Sequence, residues 1–315
     1  MARPHIRTAL AALGAALLVA ACSQGAIPPG AMVLTAASGP IESTIRLTSG
    51  GVARTFILDV PRGAAPAGGW PLILLLHGGG GTAEALGRHT RGFPTAATVR
   101  GYVVARPQGL DKQWHDGRAG VGSADDVTFL AAVVVETGRR VPVNPARVYA
   151  AGISNGAMMT GRLACTPTFR LAAVAQVAGT IGVGVAPGCQ PAGPVSVLMI
   201  MGRADPIVPY AGGNIRVPFS TPGSRGAVVG AQAYAASWVA RLRTPTTSTT
   251  IVLAPDARAN DTRGAGGTEV EFATVDDGGH GWPGGLQYLP KAIVGTVVQT
   301  FSANDVILDF FDRHS

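Results

Sequence analysis

The pentapeptide Gly152-Ile153-Ser154-Asn155-Gly156 places a hydroxyl between two glycines, just after the apolar run Arg147–Ala151. A strand that turns sharply into a helix needs residues without bulk on either side of the turn, and the residue at its tip is thrust outward. The pattern G-x-S-x-G therefore presents Ser154 as a nucleophile. A serine hydroxyl attacks little at neutral pH without a base, and the base needs an acid to orient it. In chain order Ser, acid, His, only two of the six histidines lie beyond Ser154. His314 is the penultimate residue and reads as a frayed end. His280 sits in "DDGGHGWPGG", where glycines let an imidazole enter from a loop. Asp205 stands just beyond the apolar run "VSVLMIMG" and reads as the orienting acid. Asp256, Asp261, Asp276 and Asp277 are alternatives, but none follows such a strand. Glu269 and Glu271 read as exposed positions of the strand "TEVEFATV".

Such chemistry also needs donors for the oxyanion. In "LLLHGGGGTAE" His77 and four glycines follow another apolar run. Backbone amides approach a substrate closely only where no side chain intervenes. The expected donors are the amide of Gly79, with Gly80 next in line, and that of Asn155. His77 is expected to brace this loop. A phosphate-binding loop is disfavoured because no GK[ST] follows the glycines.

The elements needed to position these groups are legible as runs. "PLILLLHGGGGT", "GYVVARPQG", "RVYAAG", "LAAVAQVAG" and "VSVLMIMG" are apolar without alternation, as strands buried on both faces of a mostly parallel sheet are. "STIRLTSGGVARTFILDV" alternates around Gly50-Gly51 and predicts an antiparallel hairpin. Helices are predicted in "SADDVTFLAAVVVETGRRV", with Ser123 or Asp125 as N-cap, in "NGAMMTGRLAC", in "VVGAQAYAASWVARLR" and in the terminal "SANDVILDFFDRHS". Alternation of strand and helix gives an α/β class. No repeat or long linker interrupts residues 41–315, so one domain is expected there. Residues 211–227, rich in Gly and Pro, read as a surface excursion near the site.

The amino terminus reads as a targeting segment. Arg3 and Arg7 precede the apolar "TALAALGAALLVAA", which is shorter than the ~20 residues of a spanning helix. It ends in "LVAAC", which resembles a bacterial lipoprotein signal. That implies cleavage after residue 21, lipidation of Cys22, a flexible tether over 22–40, and an exported protein held to a membrane of the cell envelope. An ordinary secretory signal would export the chain without the anchor. Cys165 and Cys189 then remain as an even pair in an oxidising compartment, where a disulfide is favoured. The net charge of +7 comes almost wholly from scattered arginines and forms no patch suited to nucleic acid. No HExxH and no Cys/His cluster points to a metal, and the chemistry calls for no cofactor.

Taken together, the elbow, "HGGGGT", "GRADPIVPY" and "GGHGWPG" resemble the secreted α/β-hydrolase esterases grouped with poly(3-hydroxybutyrate) depolymerases, feruloyl esterases and acetylxylan esterases. The resemblance spans residues 52–313 and includes "PQGLDKQWHDGR". It implies the α/β-hydrolase fold, a mostly parallel central sheet with helices on both faces. It also implies hydrolysis of carboxylic esters through Ser154, His280 and Asp205, with small, oligomeric or polymeric esters as substrate. Asn155, Ala157 and His115 depart from the pattern and leave the substrate open. Trp114 and Trp282 are expected as walls for the acyl group. Asp116 and Arg118 are expected to pair, and Asp125 and Asp126 to serve the helix start. A peptidase or amidase with the same three groups, or a non-catalytic lipoprotein binding cell-wall material or polymer, are the competing readings.

Overall fold

The computed structural model describes residues 39–314 apart from 219, 220, 222, 224 and 243–246. The targeting segment, Cys22 and nearly all of the expected tether lie outside these residues. Strands β1 (Ile41–Ser49) and β2 (Val52–Val60) form the expected hairpin. Gly50 and Gly51 both take positive φ, 57° and 77°, as a two-residue turn matched to strand twist requires. There follow β3 (Trp70–Leu76), α1 (Ala83–His89), α2 (Phe93–Val99), β4 (Val103–Pro107), α3 (Asp126–Arg140), β5 (Val143–Ile153), α4 (Asn155–Ala164) and β6 (Ala173–Val177). The chain continues through β7 (Ser196–Gly202), the short pair β8 (Gly213–Asn214) and β9 (Ala227–Val228), and α5 (Ala231–Val239). It closes with β10 (Thr247–Ala254), β11 (Ala257–Arg263), β12 (Glu269–Val275), α6 (Lys291–Val294) and α7 (Ala303–Asp312).

Ten of these strands make one sheet in the order β1-β2-β4-β3-β5-β6-β7-β12-β11-β10. The six from β4 to β12 run parallel, and an antiparallel pair extends each edge. Every residue of β3 is buried. Leu72, Leu74 and Leu76 pack into one apolar layer with Phe129 of α3, Leu163 of α4 and Trp238 of α5. Ile73 and Leu75 pack into the other with Leu86 of α1, Phe93 of α2 and Phe311 of α7. Burial of each such side chain contributes about 1.5–3 kcal/mol, which is why an unalternated run holds the middle of the sheet.

Two expectations are corrected here. Glu269 and Glu271 are buried, not exposed. Their carboxylates accept from Arg313 at 2.7 Å each, and His314 Nε2 lies 3.2 Å from Glu269. His314 is itself buried, its Nδ1 3.2 Å from Ser196 Oγ, so this residue is held and not frayed. The acids tolerate burial because the Arg313 guanidinium arrives just past the end of α7, far along the chain. The sequence reading also missed β10 and β11, whose alternation is weak and rich in Thr, Asp and Asn. Cys165, which caps α4, is bonded to Cys189.

Candidate active site

β5 delivers Ser154 to the carboxyl end of the parallel strands, where reactive groups gather in open α/β sheets. Its backbone sits at φ 58°, ψ −122°, a conformation that costs a non-glycine residue about 1–3 kcal/mol and persists only where the surroundings impose it. They do so here by contact. A Cβ on Gly152 would meet the Gly156 carbonyl at 2.6 Å, and one on Gly156 would meet the Leu76 carbonyl oxygen at 2.3 Å. The Ser154 amide donates to Val177 O at 2.9 Å, and its carbonyl accepts from Met158 N at 3.0 Å, which starts α4.

The His280 ring lies between Ser154 and Asp205. Its Nε2 is 2.8 Å from Ser154 Oγ and its Nδ1 2.7 Å from an Asp205 oxygen. A carboxylate only accepts, so Nδ1 carries the proton and Nε2 is free to accept from the serine hydroxyl. The other oxygen of Asp205 accepts from the amides of Ile207 and Val208 at 2.8 and 2.9 Å. Those bonds fix the carboxylate on the loop after β7. His280 is held in turn: its amide donates to Val294 O, and its carbonyl accepts from the Tyr288 hydroxyl at 3.0 Å. None of Asp256, Asp261, Asp276 and Asp277 is hydrogen-bonded or ion-paired to the ring, which pairs with Asp205.

The glycine loop after β3 passes beside the serine. A side chain at Gly78 would stand 3.4 Å from Ser154 Cβ. Among the described residues the amides of Gly79 and Asn155 have no protein acceptor. The amide of Gly80 donates to Lys112 O at 2.8 Å and is therefore not the next in line. His77 braces the loop: Nδ1 donates to Gly78 O at 2.8 Å, and Nε2 accepts from Gly109 N at 2.9 Å. Burial lowers its pKa to about 4, so it stays neutral at pH 7.

The segment "WHDGR" supports the far side of the elbow. Asn155 Oδ1 accepts from Trp114 N at 2.7 Å, and its Nδ2 donates to Trp114 O at 2.9 Å and to Asp116 at 2.7 Å. Asp116 also holds Arg118 at 2.6 Å, the expected ion pair. Asp125 caps α3 by accepting from Thr128 N. Asp126 does more than start the helix: it is fully buried and pairs with Arg54 at 2.7 Å.

A cavity of about 430 Å³ opens over Ser154 and His280, within the range of small-molecule sites. Trp282 lines it, with Nε1 donating to Asn304 at 2.8 Å. Trp114 does not. It is wholly enclosed and gives its Nε1 proton to the His77 carbonyl at 2.8 Å, so it backs the glycine loop and offers no face to a substrate. The rest of the wall was missed from sequence: Leu86 and His89 of α1, and Leu286, Tyr288 and Leu289 of the segment after His280. The signal available was proximity, since Tyr288 stands eight residues beyond His280 between two leucines. No helix among the described residues is long and apolar enough to cross a membrane, and no group of three metal-ligating side chains occurs among them.

Known proteins similar to the chain agree on a class. No family model matches it. The protein named "Putative esterase NocK" from Nocardia uniformis subsp. tsuyamanensis is 33% identical over 290 residues, which is 82% of this chain and 79% of that one. A poly(3-hydroxyoctanoate) depolymerase of Pseudomonas fluorescens is 29% identical over 178 residues, covering 50% of this chain and 64% of its own. In fold, an acetyl xylan esterase from Aspergillus awamori matches with a TM-score of 0.51 at 14% identity, over 86% of this chain and 99% of that one. The chain belongs to the α/β-hydrolase esterase family that groups polyhydroxyalkanoate depolymerases with feruloyl esterases, and it is a carboxylic ester hydrolase.

Proposed function

We propose that the enzyme cleaves esters through a covalent acyl-serine at Ser154. The observation that carries this reading is the His280 ring held between Ser154 Oγ at 2.8 Å and Asp205 at 2.7 Å. Ser154 attacks the ester carbonyl while Nε2 of His280 takes its proton. Asp205 holds the imidazolium through Nδ1. The amides of Gly79 and Asn155 receive the oxyanion, and the positive end of α4 favours charge there. His280 then protonates the departing alcohol. Water, deprotonated by the same ring, frees the acid and restores the serine.

The substrates are neutral esters of the feruloyl, acetyl-xylan or polyhydroxyalkanoate type. Among the described residues no Asp, Glu, Lys or Arg lines the cavity, and Leu86, Ile153, Trp282, Leu286 and Leu289 give it an apolar wall. A charged limb would lose its hydration there without a counter-ion. The amino-terminal sequence supports an exported enzyme tethered through a lipid on Cys22, with the catalytic domain from residue 41. Metabolic labelling with a radioactive fatty acid, lost in Cys22→Ala, tests the tether. Product analysis on feruloylated xylan, acetylated xylan and polyhydroxybutyrate, with peptide anilides as the amide control, tests the ester class. Release of acid from none of the three polymers, together with anilide cleavage, would replace the esterase reading by an amidase.

A further inference from the structure

Among the described residues, His89 is the polar side chain of the cavity wall with no protein hydrogen-bond partner; Thr82 accepts from Ala85 N. His77 is committed through both ring nitrogens, Trp282 donates to Asn304, the Tyr288 hydroxyl donates to His280 O, and Thr90 donates to Leu86 O. The ring nitrogens of His89 have no hydrogen-bond partner among the described residues, and the ring lines the same space as Ser154. We infer that His89 is a specificity-determining residue that selects esters whose apolar limb carries a hydroxyl group.

The ring is set in place before any substrate arrives. It stacks on Tyr288 with centroids 5.3 Å apart. The His89 carbonyl accepts from Leu286 N at 2.9 Å, and the following carbonyl, of Thr90, accepts from Asn304 at 2.8 Å. The end of α1 is thus fastened to the segment after His280 and to α7. Burial and the neighbouring Arg88 both lower the imidazole's pKa. In its neutral form the ring has one nitrogen to donate and one to accept. A hydroxyl matches both roles. The ring is half-buried, so a limb that covers it without a hydroxyl strips water from its nitrogens and leaves them unpaired, which is how such a group discriminates in an apolar wall.

The inference rests on Ser154 being the nucleophile of this cavity, and the experiment separates the two. Four methyl esters serve as probes: 3-phenylpropanoate with its 4-hydroxyphenyl counterpart, and octanoate with 3-hydroxyoctanoate. The kcat/KM ratio of hydroxylated to plain ester is measured for wild type, His89→Phe and His89→Gln. The phenylalanine keeps the ring stack on Tyr288, and the glutamine keeps a donor and an acceptor. In wild type the ratio reaches about tenfold in the aromatic or the aliphatic pair, the energy of one good hydrogen bond. It falls toward unity in His89→Phe and is largely kept in His89→Gln. Which pair responds tells an aromatic limb from an aliphatic one. A ratio near unity for both pairs in wild type, its persistence in His89→Phe, or no turnover of any probe overturns the inference. If Ser154→Ala still hydrolyses the probes, the nucleophile assignment fails instead.

Discussion

The side chain of Asn155 grips both backbone groups of Trp114, accepting from its amide at 2.7 Å and donating to its carbonyl at 2.9 Å. The residue that follows Ser154 is thereby fixed to the loop that backs the glycine loop. The segments that leave β3 and β5 are joined through one buried amide group and one indole.

Asn155→Ala removes both of those bonds and a third to Asp116. Buried partners left unpaired cost about 1–3 kcal/mol each at most, partly relieved by relaxation. A net loss of about 2 kcal/mol in urea denaturation is expected, with kcat reduced about tenfold as the Asn155 amide loses its anchor. Unchanged stability and turnover would mean that the grip is incidental.

Gly156 cannot carry a side chain. A Cβ there would lie 2.3 Å from the Leu76 carbonyl oxygen and 2.5 Å from that of His77. Both are backbone atoms of β3 and its exit and cannot swing aside. Gly156→Ala is expected to lose about 3 kcal/mol or more, read as a lowered denaturation midpoint or as loss of soluble protein.

These two cases mark what the sequence could and could not tell. The elbow, the glycine loop and the order Ser154, Asp205, His280 were legible because each needs a local signal, a buried run ending in glycines or an acid. The strands buried on both faces of a mostly parallel sheet were legible for the same reason. Glu269, Glu271 and His314 were misread because what buries them is their mutual pairing across the carboxyl end, and pairing at long range leaves no local pattern. Trp114 was misread as a wall because its indole proton is taken by His77 O, a contact that exists only after folding. Leu286, Tyr288 and Leu289 of the cavity wall lie in a segment without regular periodicity.

The Tyr288 hydroxyl donates to the His280 carbonyl at 3.0 Å. Burial raises the phenol's pKa, so it remains a donor across the working range. Tyr288→Phe is expected to lower kcat about fivefold, the worth of one hydrogen bond near 1 kcal/mol, with KM nearly unchanged because the ring stays. A change confined to KM would assign Tyr288 to substrate contact alone.

Acid should weaken the fold through His77. Its pKa falls from 6.5 in the unfolded chain to about 4 in the folded one. Between those values the unfolded chain binds a proton that the folded chain does not, so stability drops as pH falls from 6.5 toward 4. Protonation at Nε2 would also break the bond from Gly109. Denaturation at pH 7 and pH 5 is expected to show a larger loss in wild type than in His77→Asn, by about 1–2 kcal/mol of the shift. Equal losses in the two proteins would contradict that assignment.

Reaction with a fluorophosphonate, followed by intact-mass measurement and ester turnover on the same sample, addresses the chemistry most directly. A single adduct on the folded enzyme, mapped to the peptide that holds Ser154, with activity abolished in proportion, is the expected result; Ser154→Ala should neither label nor turn over ester. Full ester hydrolysis by Ser154→Ala, or a stoichiometric adduct at another serine, would contradict a reaction run by the hydroxyl that His280 meets at 2.8 Å.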